Sequence, residues 1–315
     1  MRAATKDAFE KMAEVGSGDA GALALGLRRE ITSVGLRALA AKAVHVAAAA
    51  PERMTDIFDN AAAGWLAHPV FPPRQRTEEP LPISKGFWRC FWDAAKLPAD
   101  TAPEALAEAM LRLAGELDPR INARMAATAL EYPGVAEAAA RSIPRPFDPD
   151  ALSACPPASV GFLLRQEMLV RDPLVRPFGP GFVALLRHMP PPLNYINIQV
   201  IQTLPLMALV AGYGPSRLDR VGIGGFLMAQ VAHHYSALST AVTLAVMSME
   251  RPETTELRLD TLLRGWAHGR ATPPLIGVAW REIWNLRLDE VREALGVRPF
   301  DSPHAEARKR LNRTP

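Results

Sequence analysis

Two adjacent histidines, His233 and His234, followed by Ser236 and Ser239, are the residues whose types could move a proton or hold a metal. Neighbours on a helix point about 100° apart, so this pair cannot chelate one ion together. No histidine or carboxylate lies three or four residues from either one to complete a ligand set. Either imidazole could serve as a base in an enzyme; the alternative is a polar pair satisfied inside a helical core. The serines lack the strand-turn-helix elbow of a hydrolase nucleophile. "GIGGFLMA", residues 222–229, lacks the preceding strand and the G-x-G-x-x-G spacing of a dinucleotide loop, so its glycines suit close helix packing or room for a ligand. Cys90 and Cys155 are isolated, which favours free thiols in a reducing compartment over a disulfide. Phe87, Trp88, Phe91 and Trp92 stand at helical spacing and read as core rather than as a ligand cage.

A second stretch has the rhythm of a site without its chemistry. "QTLPLMALVAGYGPSRLDRVG", residues 202–222, runs from an apolar helix through Gly212-Tyr213-Gly214 into a second helix carrying Arg217, Asp219 and Arg220. Nothing in it binds a metal well or moves a proton at neutral pH.

The elements that must position these residues read as helices between proline breaks. "GALALGLRREITSVGLRALAAKAVHVAAAA" spaces its leucines as an amphipathic helix, with Arg28, Arg29, Arg37 and Lys42 between them. It suits a solvated face or a helix that docks on a membrane surface or a partner. "PERMTDIFDNAAAGWLAH" is a further helix, and "PVFPPRQRTEEPLP" a linker. Beyond Phe87 come "APEALAEAMLRLAGEL", "INARMAATALEY", "GVAEAAARSI", "VGFLLRQEMLV" and "FVALLRHM", with loops at "RPFDPDALSACPPAS" and "RDPLVRPFGPG". Two charge-free helices follow, then "LRLDTLLRGWAHGRA" and "LIGVAWREIWNLRLDEVREALG". No strand alternation or repeat is present, so the expected class is all-α: a single multi-helix domain with an apolar hairpin at its centre.

Composition narrows the partners. The 315 residues are 49% hydrophobic with a net charge of +3, and the arginines are scattered rather than massed, which argues against nucleic acid. The N-terminus has no secretory signal pattern. Met189 to Ser216 and Val221 to Met249 carry no charge and exceed the roughly 20 residues that span a bilayer. Asn194, Asn197, Gln199, Gln202 and Pro205 in one, and Gln230, His233, His234 and Ser236 in the other, fit a soluble core better than lipid.

The hairpin and the C-terminus together resemble the coenzyme Q biosynthesis protein 4 family, whose helix with H-D-x-x-H leads into a Thr-Gly-Tyr-Gly-like turn and then a Glu, giving H-D-x-x-H-x(11)-E. Carrying the likeness are Gly212-Tyr213-Gly214, the "MAQ" at Met228–Gln230, the ending "GWAHGRATPPLIGVAWREIWNLRLDEVREALGVRP" and the segment "LSACPPASVGFLLRQEML", within Phe87 to Pro299. Setting the turn on the family's turn places Leu204 and Ala208 at the histidine positions, Pro205 at the aspartate and Arg220 at the glutamate. Leucine, alanine and proline supply no ligand atom, and arginine would repel a divalent ion. The resemblance implies a helical domain over residues 81–300, preceded by an amphipathic extension at 1–80 and followed by a polar tail at 301–315. It also implies a part in ubiquinone biosynthesis, with no metal or other cofactor and with catalysis in question. The expected ligand is a prenylated quinone or isoprenoid lipid on Leu204, Leu206, Met207, Val210, Gly222, Gly225 and Met228, although most of these side chains suit a plain helix core equally. Gly222, Gly224 and Gly225 are expected to leave room between helices for the chain. The expected setting is the cytoplasmic, inner face of a membrane, peripherally bound, with quinone-biosynthesis enzymes as partners and homodimerisation kept open. A protein-interaction module without lipid is the further alternative.

Overall fold

A computed structural model of the protein describes residues 3–16, 18–69, 78–98, 101–143, 147–148, 150–170, 186–250 and 253–301. Among them the regular elements are all helical, with one isolated bridge between Ser159 and Arg287. In chain order these are α1 (Ala3–Val15), α2 (Ala20–Arg29), α3 (Ser33–Ala48), α4 (Met54–Leu66), α5 (Lys85–Ala94), α6 (Pro103–Gly115), α7 (Ile121–Leu130), α8 (Val135–Ala139) and α9 (Val160–Val170). After them come α10 (Leu193–Ala211), α11 (Arg217–Val231), α12 (His234–Glu250), α13 (Thr255–Ala271), α14 (Trp280–Ile283) and α15 (Leu288–Leu295). The linker at 69–82, the break after Val170 with most of "FVALLRHM", and the tail from 302 lie largely or wholly outside the described residues.

The all-α expectation holds, and three boundaries differ from the sequence reading. The leucine-spaced segment near the N-terminus is two helices: Thr32 accepts from the Gly35 N–H at 3.1 Å and starts α3 afresh. From Leu36 on, α3 is almost wholly interior, so Lys42 does not join the solvated basic face expected of it. Its ammonium, on a residue 3% exposed, donates to the carbonyls of Gly16 and Gly18 at 3.3 and 2.6 Å, at the end of α1. The second charge-free stretch breaks at Ala232, held left-handed at φ 51°, so it forms α11 and α12 rather than one long helix. Only α10 is long and apolar enough among the described helices to cross a membrane. The C-terminal helix likewise divides into α14 and α15.

Two apolar cores share one wall. The first gathers α1 to α6 with α12 and α13, around Phe9, Phe91 and Trp266. Phe87, Trp88, Phe91 and Trp92 belong to it, with Phe9 stacked on Phe91 at 6.0 Å between centroids. The second gathers α7 to α10, α14 and α15 around Leu206, Val210 and Tyr213. The wall is α11: Met228 and Ala229 face the first core, while Leu227 and Val231 face the second. On its other sides, α13 lies along α11 and α3 lies along α12. Polar groups pin these contacts, as where Trp65 donates to Asp260 and Trp266 donates to Asp59, each at 2.8 Å.

Candidate functional site

Helix α10 has no charged residue and no glycine, and its half-buried positions fall on a single side. Asn194, Asn197, Ile201, Gln202, Leu204, Pro205, Ala208 and Leu209 cover about 160° of arc at 100° per residue. The opposite side, with Leu206, Met207 and Val210, is buried in the second core. Asn194, Asn197 and Gln202, with Ile201 among them, occupy the N-terminal half of the half-buried face, and its C-terminal half is wholly apolar. Pro205 has no N–H, so the Ile201 carbonyl one turn back loses its usual helical donor on this same face. Leu204 and Ala208 stand together there, one turn apart as a ligand pair would, and Arg220 is exposed on α11. None of Leu204, Pro205, Ala208 and Arg220 offers an atom that could hold a metal ion, so a metal does not fit these positions. Among the described residues, no group of three or more His, Cys, Asp or Glu side chains converges elsewhere.

The turn that closes α10 is locked from outside. Gly212 takes φ 81°, and a Cβ there would stand 2.8 Å from the Pro299 ring and 2.9 Å from the Phe300 nitrogen. Phe300 N–H donates to the Ala211 carbonyl at 2.7 Å, and Arg292 donates to those of Val210 and Leu209 at 2.9 and 3.0 Å. These bonds satisfy carbonyls that the end of a helix leaves open. Tyr213 is buried and stacked on Phe300, centroids 4.7 Å apart. His268 Nε2 is 2.7 Å from the Arg298 carbonyl, which can only accept, so the proton sits on Nε2. The bare Nδ1 then accepts from the Tyr213 hydroxyl at 2.9 Å. Burial holds His268 below the ordinary histidine range. This Tyr213–His268–Arg298 chain ties the turn to α13 and to the segment after α15, joining residues up to 85 positions apart in the sequence.

Of the glycines after the turn, Gly222 and Gly225 do not make room for a ligand, whereas a Cβ on Gly224 would meet nothing within 4 Å. A Cβ on Gly225 would lie 2.4 Å from the Leu262 carbonyl oxygen, and one on Gly222 would lie 2.8 Å from the Tyr213 ring. The space is filled by α13, whose own Gly265 comes so close that its Cβ would fall 2.2 Å from the Gly222 oxygen. Backbone meets backbone at this crossing, as small residues permit. Met228 is fully buried in the first core. Of the positions read as ligand-lining, Leu204 alone lies on the half-buried face; Leu206, Met207, Val210, Gly222, Gly225 and Met228 are committed to packing. Gln230 is committed too: its amide donates to the Gly269 and Thr272 carbonyls at 2.8 and 2.9 Å and accepts from Leu275 N–H at 3.0 Å.

His233 and His234 sit at the junction of α11 and α12 and point apart. His234 Nε2 donates to the Ala47 carbonyl of α3 at 2.6 Å, while His233 Nδ1 shares a 2.8 Å hydrogen bond with Ser236 Oγ. Burial pushes both down to about 4, with the neighbouring His234 adding to the effect at His233. Both imidazoles are therefore neutral at pH 7, and each has a structural partner.

No protein-family model matches the sequence, and no curated protein matches it. Among solved structures, the chain is similar to the crystal structure of a candidate ubiquinone biosynthesis protein from Nostoc punctiforme. The match has a TM-score of 0.50 and 21% sequence identity, over 67% of this chain and 96% of that one. At this identity the likeness is one of fold.

Proposed function

We propose that this protein binds a polyprenylated quinone intermediate or a related isoprenoid lipid along the half-buried face of α10, as a non-catalytic accessory in ubiquinone biosynthesis. The observation that carries the reading is the half-buried side of α10, where Ile201, Leu204, Pro205, Ala208 and Leu209 keep part of their surface open on a helix without a charge, Leu204, Ala208 and Leu209 also touching the second core. An isoprene chain laid on that side gains roughly 25 cal/mol for each Å² of apolar surface removed from water. The solved structure of similar fold, itself a candidate ubiquinone biosynthesis protein, supports the pathway. The setting we propose is peripheral, at the inner face of a membrane.

Gently purified protein is expected to release a prenyl lipid into organic solvent, seen by mass spectrometry. Leu204→Glu and Ala208→Asp should each lower retention about tenfold. Both positions are half-buried at the edge of the second core, so each variant is taken forward only if its melting temperature lies within a few degrees of wild type. No extractable lipid, or equal retention by both folded variants, would sink this reading.

A second expectation concerns metal. Because Leu204, Pro205, Ala208 and Arg220 present no ligand, elemental analysis should find zinc and magnesium well below one equivalent, and EDTA should leave the melting temperature unchanged. A one-to-one metal whose removal lowers stability would instead favour an enzyme with its site elsewhere.

A further inference from the structure

Helix α1 is held to the molecule along one narrow stripe. Phe9, Ala13 and, just past its end, Gly16 are buried, while Met12 and Val15 are 40% and 63% exposed. Phe9 enters a cage of Trp88, Phe91 and Trp92 on α5, and Glu10 accepts from the Trp92 indole at 2.7 Å. Two polar atoms beneath α1, Trp88 Nε1 and His45 Nε2, are buried with no partner among the described residues. The His45 ring is the sharper case. Its Nδ1 stands 2.8 Å from the Ala13 carbonyl, which only accepts, so Nδ1 carries the proton and Nε2 is bare. A Cβ on Gly16 would lie 2.4 Å from Nε2, so the Gly16 backbone covers that edge of the ring. Protonation would put an N–H and a positive charge there with no acceptor for either.

The surroundings of the ring oppose that charge. Burial holds His45 below the ordinary histidine range; the Ala13 carbonyl pulls it back up, and Arg53, Lys42 and Arg124 push it further down. Carboxylates on the neighbouring elements are engaged elsewhere: Glu52 with Arg124, Asp59 of α4 with Arg270, Glu10 of α1 with Trp92, and Asp19 with the N–H groups that open α2. Asp7 and Glu14 of α1 are exposed. From α12, His234 is bonded to the Ala47 carbonyl.

We infer that α1 is a strap, held shut by the neutral His45 ring and hinged at Gly16 and Gly18, which mild acid releases from α3 and α5 while the other helices stay packed. Both glycines are left-handed, at φ 61° and 95°, and Lys42 holds their carbonyls in the shut position. With the strap shut, His45 titrates below its value with the strap open. Docking is therefore fully favoured above about pH 6.5 and weakens as pH falls. A released helix of 13 residues is marginal in water by itself, so its amides exchange once it leaves. Release uncovers the aromatic row of α5 that now cages Phe9.

The test is hydrogen exchange read by mass spectrometry on the full chain between pH 7.5 and pH 5, corrected for the intrinsic pH dependence of exchange. Amides of α1 are expected to lose protection tenfold or more over that range, and at every pH to be at least tenfold less protected than those of α11 and α13. His45→Asn can still donate to the Ala13 carbonyl from the Nδ1 position and does not titrate, so its α1 should lose less than threefold. Should that variant not fold, His45→Gln, equally unable to titrate, takes its place. A wild-type loss below tenfold, or α1 protected as well as α11 and α13, would overturn the strap. So would a loss of threefold or more in the variant that does not titrate.

Discussion

Gly225→Leu is expected to abolish the native fold, and Gly265→Ala to lower the melting temperature by ten degrees or more. At the α11–α13 crossing there is no side chain to rearrange. The added Cβ would stand 2.4 Å from a main-chain oxygen in the first case and 2.2 Å from one in the second. Gly269 repeats the pattern at 2.6 Å from the Phe226 oxygen. Relief requires the two helices to separate, and α11 is the wall between both cores, so packing is lost on both sides. Ordinary overpacking costs about 1–3 kcal/mol, and a clash against rigid backbone belongs at or above the top of that range. The better helix propensity of alanine returns only about 1 kcal/mol. Gly224 supplies the control: it is on the same helix, and a Cβ there meets nothing within 4 Å. Gly224→Ala should therefore be neutral or stabilise by up to about 1 kcal/mol. Thermal melts of the three variants decide the matter. A Gly225→Leu protein that melts like wild type would restore the view that these glycines border open space.

The class of fold was legible because helical periodicity and proline breaks are local signals. Gly212 was legible as a turn for the same reason, since a left-handed helix end selects glycine. What failed to show were features whose cause lies elsewhere in the chain. Nothing in "LMAQVAHHYS" marks Ala232 as a break, because alanine rarely takes positive φ and does so here between tightly packed neighbours. Thr32 carried an N-cap signal, but the leucine spacing ran across it. Two of the three glycines read as empty space, Gly222 and Gly225, meet a helix some forty residues downstream. A charge-free sequence also hides which side of α10 is buried: Leu204 and Leu206 are the same residue type two positions apart, one half-buried and the other deep in the core. The candidate site was thus legible as a helix and a turn, and its exposed face was not.

Stability is expected to fall steeply between about pH 6.5 and pH 4. His233 and His234 are buried, and their folded-state values are pushed from the ordinary 6.5 to about 4. His45, fully buried with Nδ1 2.8 Å from the Ala13 carbonyl, and His268 are lowered as well, burial being the largest cause in each. Each value lies below that of the unfolded chain, so acid protonates the unfolded chain first and draws the equilibrium toward it. The contribution is complete above about 6.5 and is lost progressively as pH drops toward the folded value. A fall from 6.5 to about 4 corresponds to about 3 kcal/mol for one imidazole, a large fraction of the stability of an ordinary domain. Carboxylates with ordinary values near 4 contribute little to the change between pH 7.5 and pH 5, so that interval isolates the histidines. Urea midpoints across it should drop for the wild type, with net proton uptake on unfolding. His234→Gln can still donate to the Ala47 carbonyl and does not titrate, so its pH slope should be visibly flatter. A wild-type midpoint that holds steady from pH 7.5 to pH 5 would mean these imidazoles accept protons without leaving the folded state. The junction of α11 and α12 would then be open to water, and His233 beside Ser236 would again deserve a test as a base.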